Sequence, residues 1–244
     1  MKTAPINLKD FDLERFLIGR PLELNSGEID ILRNACDHLA RFRQRICLIT
    51  PPGTGVENFW VRYKNENPEQ IFVLSCSNGS VEKVFGHLMI ELGFGHKQVN
   101  WFDTPVENIV QALIYYLDKI NNRTLLVFDN CDSLTIPKLC ELLGKLLRMK
   151  NQTGILFRIT PSFADRIKKS SNSEIRHYIT QFDVLEIKYS EPAELLKAVQ
   201  ENGIVSKGVA EGIIKDTLDF DLICRRVETL RLEVKAFLEN STKS

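Results

Sequence analysis

The stretch LITPPGTGVENFW, residues 48–60, joins an apolar segment to a segment that can begin a helix. The apolar segment, RICLIT at 45–50, has the composition of a buried strand. A strand, a glycine-containing turn and a helix are the context of a phosphate-binding loop, in which backbone amides converge on phosphate oxygens. The glycines of such a loop are present as Gly53 and Gly55. The stretch therefore predicts the turn of a phosphate-binding loop.

The residues that handle phosphate and magnesium in such a loop are replaced. Thr50 stands at the first glycine position, Val56 at the lysine position and Glu57 at the Ser/Thr position. The lysine would neutralise phosphate charge, and the hydroxyl would bind Mg²⁺. We therefore expect ATP or ADP to bind weakly, with Mg²⁺ only if nucleotide binds. The alternative is an ordinary Pro-Gly turn with no ligand.

Glu57 follows the loop directly and is expected in the first turn of a helix. Free amides and the positive end of the helix dipole favour an anion there. We predict that its carboxylate partly substitutes for phosphate. The alternative is a solvent-facing acid of ordinary first-turn type.

A second segment, TLLVFDNCD at 124–132, is an apolar strand ending in acid. This is the form of a Walker B element, and Asp129 occupies the position of the residue that holds magnesium. Asn130 follows, where a carboxylate would be needed to accept a proton. The alternative is an acidic residue at a strand end, since turns favour Asp and Asn.

The chain has 244 residues, 43% hydrophobic and 26% charged, which is ordinary for a globular protein with one sizeable core. No apolar run is long enough to span a membrane, and the N-terminus lacks the apolar core of a signal peptide. We expect a cytoplasmic location and no membrane partner. The six cysteines show no C-x-x-C spacing, so they are expected to be reduced, and no metal site is predicted.

Lys plus Arg equals Asp plus Glu, so net charge gives no general attraction to nucleic acid. Three local basic clusters could still contact DNA non-specifically if they converge in space. The alternative interpretation is that they are ordinary solvated surface. The candidate contacts are Arg41, Arg43 and Arg45 in the first cluster, Lys145, Arg148 and Lys150 in the second, and Arg166, Lys168 and Lys169 in the third.

Apolar strands alternate with amphipathic helices, which predicts an α/β domain with a five-stranded parallel sheet covered on both faces. The strands are predicted at 45–50, 70–76, 124–129, 154–160 and 183–189. After residue 189 only helices are predicted, at 191–202, 207–216 and 219–239. The predicted domains are an α/β nucleotide-binding-fold domain at 1–189 and a small C-terminal helical lid at 190–244.

The order of these motifs resembles the AAA+ ATPases of P-loop NTPase type, especially the phage Mu B-type transposition proteins and their transposon relatives. The resemblance covers about residues 20–240. The segment LFRITPSF at 156–163 is similar to the sensor 1 strand, which implies that Thr160 approaches the γ-phosphate. By the same resemblance Arg176 is a candidate arginine finger, and Arg225, or alternatively Arg226, the sensor 2 residue.

The resemblance implies an assembly or regulatory factor in DNA transposition or a related mobile-element process. Because Val56, Glu57 and Asn130 replace reactive groups, we expect ATP hydrolysis to be impaired or absent. The implied partners are another copy of the chain, an AAA+ paralogue, a transposase or non-specific DNA. The alternatives are an ATPase completed by a neighbouring subunit and a protein-interaction module. The candidate nucleotide-binding residues are Pro52, Gly53, Thr54, Gly55, Val56, Glu57, Asp129, Asn130, Thr160 and Arg225.

Overall fold

Five strands alternate with helices, as the sequence predicts. The computed structural model describes residues 9, 11–13, 16, 27–77, 79–95, 100–120, 123–149, 151–203 and 205–241. The strands are β1 (Arg45–Ile49), β2 (Ile71–Ser75), β3 (Leu125–Asp129), β4 (Gly154–Ile159) and β5 (Asp183–Glu186). The helices are α1 (Gly27–Phe42), α2 (Val56–Glu66), α3 (Val81–Met89), α4 (Val106–Ile120), α5 (Ile136–Arg148), α6 (Pro161–Lys168), α7 (Ser173–Ile179), α8 (Pro192–Gly203), α9 (Lys207–Ile214) and α10 (Phe220–Ser241).

The strands form one parallel sheet in the order β2-β3-β4-β1-β5. Every residue of β3 and β4 is buried, which explains why both strands are almost continuously apolar. Phe157 of β4 pairs in register with Phe128 on one side and with Cys47 on the other. The predicted five-stranded parallel sheet is confirmed.

The core is formed by apolar side chains of the sheet and of the helices beside it. Leu139, Leu142, Leu143 and Leu146 of α5 are all buried, which is the helical spacing of one apolar face. Gly154 begins β4 where a Cβ atom would lie 2.5 Å from the carbonyl oxygen of Leu39. Only glycine therefore fits at the start of this strand.

Several boundaries differ from the predicted ones. β5 ends at Glu186, so the predicted strand to residue 189 is too long. Two short helices, α6 and α7, follow β4 in a region for which the sequence predicts only motif residues. α3 continues into a π-helical turn at Ile90–Phe94, where Gly93 has φ 88°.

The chain divides into two compact units. The first contains residues 1–30, 52–59 and 188–244, and the second contains 31–51 and 60–187. The phosphate-loop segment thus groups with the C-terminal helices, whereas all five strands belong to the second unit. The sequence-based domains at 1–189 and 190–244 stay a prediction. Among the described residues, no helix combines the length and apolar character that a membrane crossing requires.

Candidate nucleotide-binding site

The glycine loop has the backbone shape that its sequence predicts. Gly53 and Gly55 have φ values of 76° and 80°, in the left-handed region that glycine adopts without strain. The loop from Gly53 to Val56 is buried, and Glu57 lies in the first turn of α2, as expected. Pro52 is exposed, and its carbonyl accepts a hydrogen bond from the hydroxyl of Tyr189 at 3.1 Å.

A carboxylate that the sequence analysis missed lies against this loop. A Cβ atom on Gly53 would overlap the carboxylate of Asp219, whose Oδ2 would be 2.5 Å away. The backbone amide of Phe220 also donates to the carbonyl of Gly53 at 2.7 Å. The start of α10, with Asp219 as its preceding residue, therefore contacts Gly53 directly.

Asp219 is held in this position by its own helix. Its Oδ1 accepts from the amide of Leu222 at 2.8 Å, which is an N-cap interaction at the start of α10. Its amide donates to Oγ1 of Thr217 at 3.0 Å. Nearby, the side-chain amide of Asn58 lies 3.9 Å from Sγ of Cys224. The loop and the first turn of α10 are thus joined by several contacts.

The loop does not fit a nucleotide phosphate. A phosphate-binding loop presents a lysine and backbone amides to the phosphate, yet the side chain beside Gly53 is the acidic Asp219. Val56, at the lysine position, is fully buried and carries no charge. A phosphate approaching Gly53 from the side of Asp219 would meet both steric overlap and like charge.

The Walker B positions lie at the end of β3, beside β4. Nε of Arg158 donates to Oδ1 of Asp129, and Nη2 donates to Oδ1 of Asn130 at 2.8 Å. The side chains of Arg158 and Asp129 are only 5% and 10% exposed. Asn130 has φ 56° and ψ 40°, a left-handed conformation that asparagine tolerates better than most residues. One guanidinium therefore binds both Walker B positions.

These strand ends do not fit a magnesium ion. A metal at Asp129 would need a carboxylate oxygen that is free of a competing cation, and Arg158 is within hydrogen-bonding distance of that group. The charge of the carboxylate is already balanced by a buried ion pair. Among the described residues there is no cluster of three or more His, Cys, Asp or Glu side chains suited to a metal.

Thr160 follows β4 and caps α6. Its amide donates to both carboxylate oxygens of Asp132, at 3.0 and 3.1 Å, and its Oγ1 accepts from the amide of Phe163 at 3.3 Å. These contacts give Thr160 a structural explanation beside its expected sensor role. Asp132 and Arg158 are polar residues of this region that sequence reasoning missed.

The two candidate arginines lie on helix surfaces. Arg176 is exposed on α7. Arg225 is exposed on α10, where its carbonyl accepts from the hydroxyl of Thr229. Arg226 is bound at the end of α9, because its Nη1 donates to the carbonyls of Ile213, in the last turn, and of Lys215, just after the helix. Of the two sensor 2 candidates, Arg225 is the one whose side chain stays exposed.

The three basic clusters have different surroundings. Lys145 and Arg148 both form salt bridges with Glu107 of α4. In the third cluster Lys168 lies 3.7 Å from Asp165, and Arg166 lies over the ring of Phe163. The remaining candidates Arg41, Arg43 and Arg45 lie together around the start of β1, and Lys150 falls outside the described residues.

Two cysteines lie close together beside the strand ends. Sγ of Cys76, after β2, is 3.6 Å from Sγ of Cys131, after β3, and both are fully buried. Burial raises the pKa of Cys131 well above its usual value. All six cysteines are free thiols, as the sequence predicts.

The sequence matches no family model and no curated protein. The structure is similar to Cdc6p from Pyrobaculum aerophilum, with a TM-score of 0.65 at 12% identity, covering 93% of this chain and 66% of that one. It is also similar to the ORC1 protein of Aeropyrum pernix in complex with DNA, with a TM-score of 0.60 at 12% identity, covering 96% and 66%. A third match is the ORC2 protein of Aeropyrum pernix in ADPNP-ADP complexes, with a TM-score of 0.53 at 15% identity, covering 89% and 72%.

The chain thus spans about two thirds of the length of the Cdc6p and ORC1 chains. At 12 to 15% identity the likeness concerns the fold. The five-stranded parallel sheet with flanking helices agrees with that likeness. This chain has the AAA+ fold of the P-loop NTPases, as the sequence predicts.

Proposed function

We propose that this protein is a nucleotide-independent assembly or regulatory factor with the AAA+ fold that acts in a DNA-associated process. The observation that carries the proposal is the binding of Asp129 and Asn130 by the buried guanidinium of Arg158. A Walker B carboxylate in this state has its charge balanced without magnesium.

The glycine loop supports the same conclusion independently. Asp219 supplies a negative charge beside Gly53, where a nucleotide would supply a phosphate. Arg158 supplies a positive charge beside Asp129, where a nucleotide would bring Mg²⁺. Each half thus contains a side chain with the charge of the ligand component that it would otherwise bind. The fold can therefore be stable without Mg-nucleotide.

The DNA setting is supported by resemblance. The ORC1 protein to which this chain is similar was solved in complex with DNA. The sequence resemblance to Mu B-type proteins adds DNA transposition as the process and a transposase as a partner. Oligomerisation, with a second copy or an AAA+ paralogue, is proposed on the same basis.

The first test is nucleotide binding and turnover by the purified protein. We expect no heat of ATP or ADP binding by calorimetry, and no hydrolysis approaching about 1 per second, the lower end of common enzyme rates. Turnover that disappears in the isosteric Asp129→Asn variant would contradict the proposal. Turnover that survives in that variant would indicate a contaminant.

The second test is assembly. We expect the mass of the protein in solution, alone and with DNA, to be the same with and without Mg-ATP. An oligomer that forms only with Mg-ATP would favour an ATPase completed by a neighbouring subunit. In that case the neighbour would also have to displace Arg158 from Asp129.

A further inference from the structure

An exposed aromatic ring lies among arginines where α1 ends. Phe42 is 52% exposed, although it is a large apolar residue. The guanidinium carbon of Arg41 lies 5.2 Å from the centre of its ring, and the ring of His38 lies 4.4 Å away. A partly exposed aromatic ring beside a guanidinium is a combination that stacks on unpaired nucleic-acid bases.

Arg41, Arg43 and Arg45 stand at alternate positions on either side of Phe42 in the sequence, and Arg41 makes the contact with its ring. Within the described part of the chain, neither Arg41 nor Arg45 forms a salt bridge. Arg43 has φ 53°, and its Nη1 donates to the carbonyl of Asn151 at 3.0 Å. This bond fixes the turn between α1 and β1. The bond therefore holds Arg43 in place, whereas Arg41 is exposed and Arg45 is half-buried with its Nη1 enclosed by the protein.

We propose that this surface, formed by His38, Arg41, Phe42, Arg43 and Arg45 and here called the α1–β1 surface, binds single-stranded nucleic acid. The inference deepens the proposed function and rests on it for the DNA-associated setting. Phe42 would stack on a base, and Arg41 and Arg45 would contact phosphates. A duplex would be bound less well, because its bases are already stacked on each other.

The other basic clusters lack this combination. Lys145 and Arg148 share one carboxylate, that of Glu107. Arg166 lies over Phe163, but that ring is only 2% exposed and belongs to the core. In the second cluster Tyr178 lines a cavity together with Lys145 and Arg148, but its hydroxyl donates to the carboxylate of Glu174 at 2.8 Å, and Glu141 lines the same cavity. The α1–β1 surface differs from the other two clusters because its ring, Phe42, is apolar and largely exposed.

The α1–β1 surface lies at the edge of the sheet where strands begin. β1 starts at Arg45, while Asp129 ends β3 in the same parallel sheet. Five residues of strand separate these edges by about 16 Å. Nucleic acid on this surface would leave the Arg158 and Asp129 pair untouched. Asp183 begins β5 next to β1 and is the acidic residue that would oppose binding most directly.

The test uses the full chain and fluorescein-labelled oligonucleotides of about 20 units: oligo-dT, oligo-U and a mixed-sequence duplex. Anisotropy titrations are run at about 50 and 200 mM salt. Phe42→Ala is expected to weaken oligo-dT binding about 5- to 150-fold, the range measured for loss of one stacked base. Phe42→Tyr should retain the affinity.

Charge variants test the phosphate contacts. Arg41→Gln with Arg45→Gln should lower the slope of log affinity against log salt by about 1.4, because each single-strand phosphate contact contributes about 0.7. Asp183→Asn should strengthen binding. The matched control is Lys145→Gln with Arg148→Gln, which removes two cations already paired with Glu107 and should change binding little.

Three results would overturn the inference. One is a wild-type protein that binds neither oligo-dT nor oligo-U at the lower salt. Another is equal weakening by the control pair and by the α1–β1 variants. The third is tighter binding of the duplex with no effect of Phe42→Ala. Circular dichroism of each variant establishes that it is folded. Failure here would leave the absence of ATP turnover standing, whereas nucleic-acid binding that requires Mg-ATP would contradict the proposed function itself.

Discussion

The glycine loop and the strand ends each contain a charged side chain that the motif positions do not supply, but the two charges have opposite sign. In the loop the backbone shape is kept, and an acidic side chain from the start of α10 lies against Gly53. At the strand ends the acidic residue is kept, and an arginine from the neighbouring strand binds it. The loop combines glycine geometry with a negative charge, whereas the strand ends combine Asp129 with a guanidinium partner. The comparison shows that side chains of the chain itself supply charge in both regions, negative in one and positive in the other.

The largest effect is expected at the strand ends. Arg158→Met would leave the Asp129 carboxylate buried without its guanidinium partner, which should lower the free energy of unfolding by about 3 to 5 kcal/mol. Lys168→Met is the matched control, because its pair with Asp165 is exposed and should contribute at most about 1 kcal/mol. Urea unfolding followed by circular dichroism measures both.

A double variant separates buried charge from lost packing. Arg158→Met with Asp129→Leu removes both charges and should recover much of the stability lost in the single variant. If Arg158→Met costs no more than Lys168→Met, the pair is not what maintains this region, and the comparison between the two halves fails.

The loop should show the second largest effect. Gly53→Ala combines left-handed backbone strain with overlap against Asp219, whereas Gly93→Ala has similar φ and nothing within 4 Å of its Cβ atom. Both variants should lose about 1 to 2 kcal/mol from strain, and Gly53→Ala about 1 to 3 kcal/mol more from overlap. Thermal and urea unfolding of the two variants measure the difference.

Adding Asp219→Ala to Gly53→Ala should remove the overlap while losing an N-cap worth about 1 kcal/mol. Equal stability losses in Gly53→Ala and Gly93→Ala would show that Asp219 does not contact the loop closely in solution.

Nucleotide titrations compare how strongly Glu57 and Asp219 oppose ADP binding at the loop. Val56→Lys alone should not restore ADP binding, and Val56→Lys with Glu57→Thr should restore little. Adding Asp219→Asn should improve affinity about tenfold or more, since the repulsion between two unit charges about 4 Å apart is on the order of 4 kcal/mol near a protein surface. Titration with a fluorescent ADP analogue measures the series.

Two results would change the interpretation of these acids. If Val56→Lys binds as well as the triple variant, neither acid is an obstacle. If the double variant equals the triple, Glu57 rather than Asp219 is the substitute for phosphate, as the sequence alone suggests.

The smallest effect concerns thiol reactivity. Burial raises the pKa of Cys224 to about 12, so its thiolate is scarce at pH 8 and alkylation by iodoacetamide should be slow. Because Cys224 lies beside Asn58, Asp219→Ala should speed its alkylation by loosening the first turn of α10. Cys131, in the other region, should be unaffected by that change and accelerated by Arg158→Met. Peptide mass spectrometry at several times resolves the sites; acceleration of both cysteines by either variant would show that the regions open together.

The strands were predictable because their apolar runs are short, strongly patterned and bounded by turns. The short helices α6 and α7, of eight and seven residues, were not, since they span too few turns for a periodic signal. Arg158 was visible as one charged residue in the apolar strand LFRIT. Its partner depends on the register of β4 against β3, in which Phe157 pairs with Phe128. The register between β3 and β4, which are joined through α5, cannot be deduced from either strand's own sequence.

Asp219 was missed for a related reason. An Asp before a helix predicts an N-cap, and the structure has that bond. Its second contact, with Gly53, joins residues far apart in the chain. The sequence thus identifies the motif positions that hold other residues, whereas only the tertiary structure shows that Asp219 and Arg158 contact those motifs.

The way Arg158 binds both Asp129 and Asn130 limits which single mutations could give this region the residues of an ATPase. A mutation that placed a carboxylate at residue 130 would put a second acid beside a guanidinium that already binds the first, and a glutamate there would also be strained by the left-handed backbone. A mutation that removed Arg158 would free Asp129 only at a cost in stability. Each of these single changes toward the residue set of an ATPase is therefore expected to lower stability before it supplies a catalytic group.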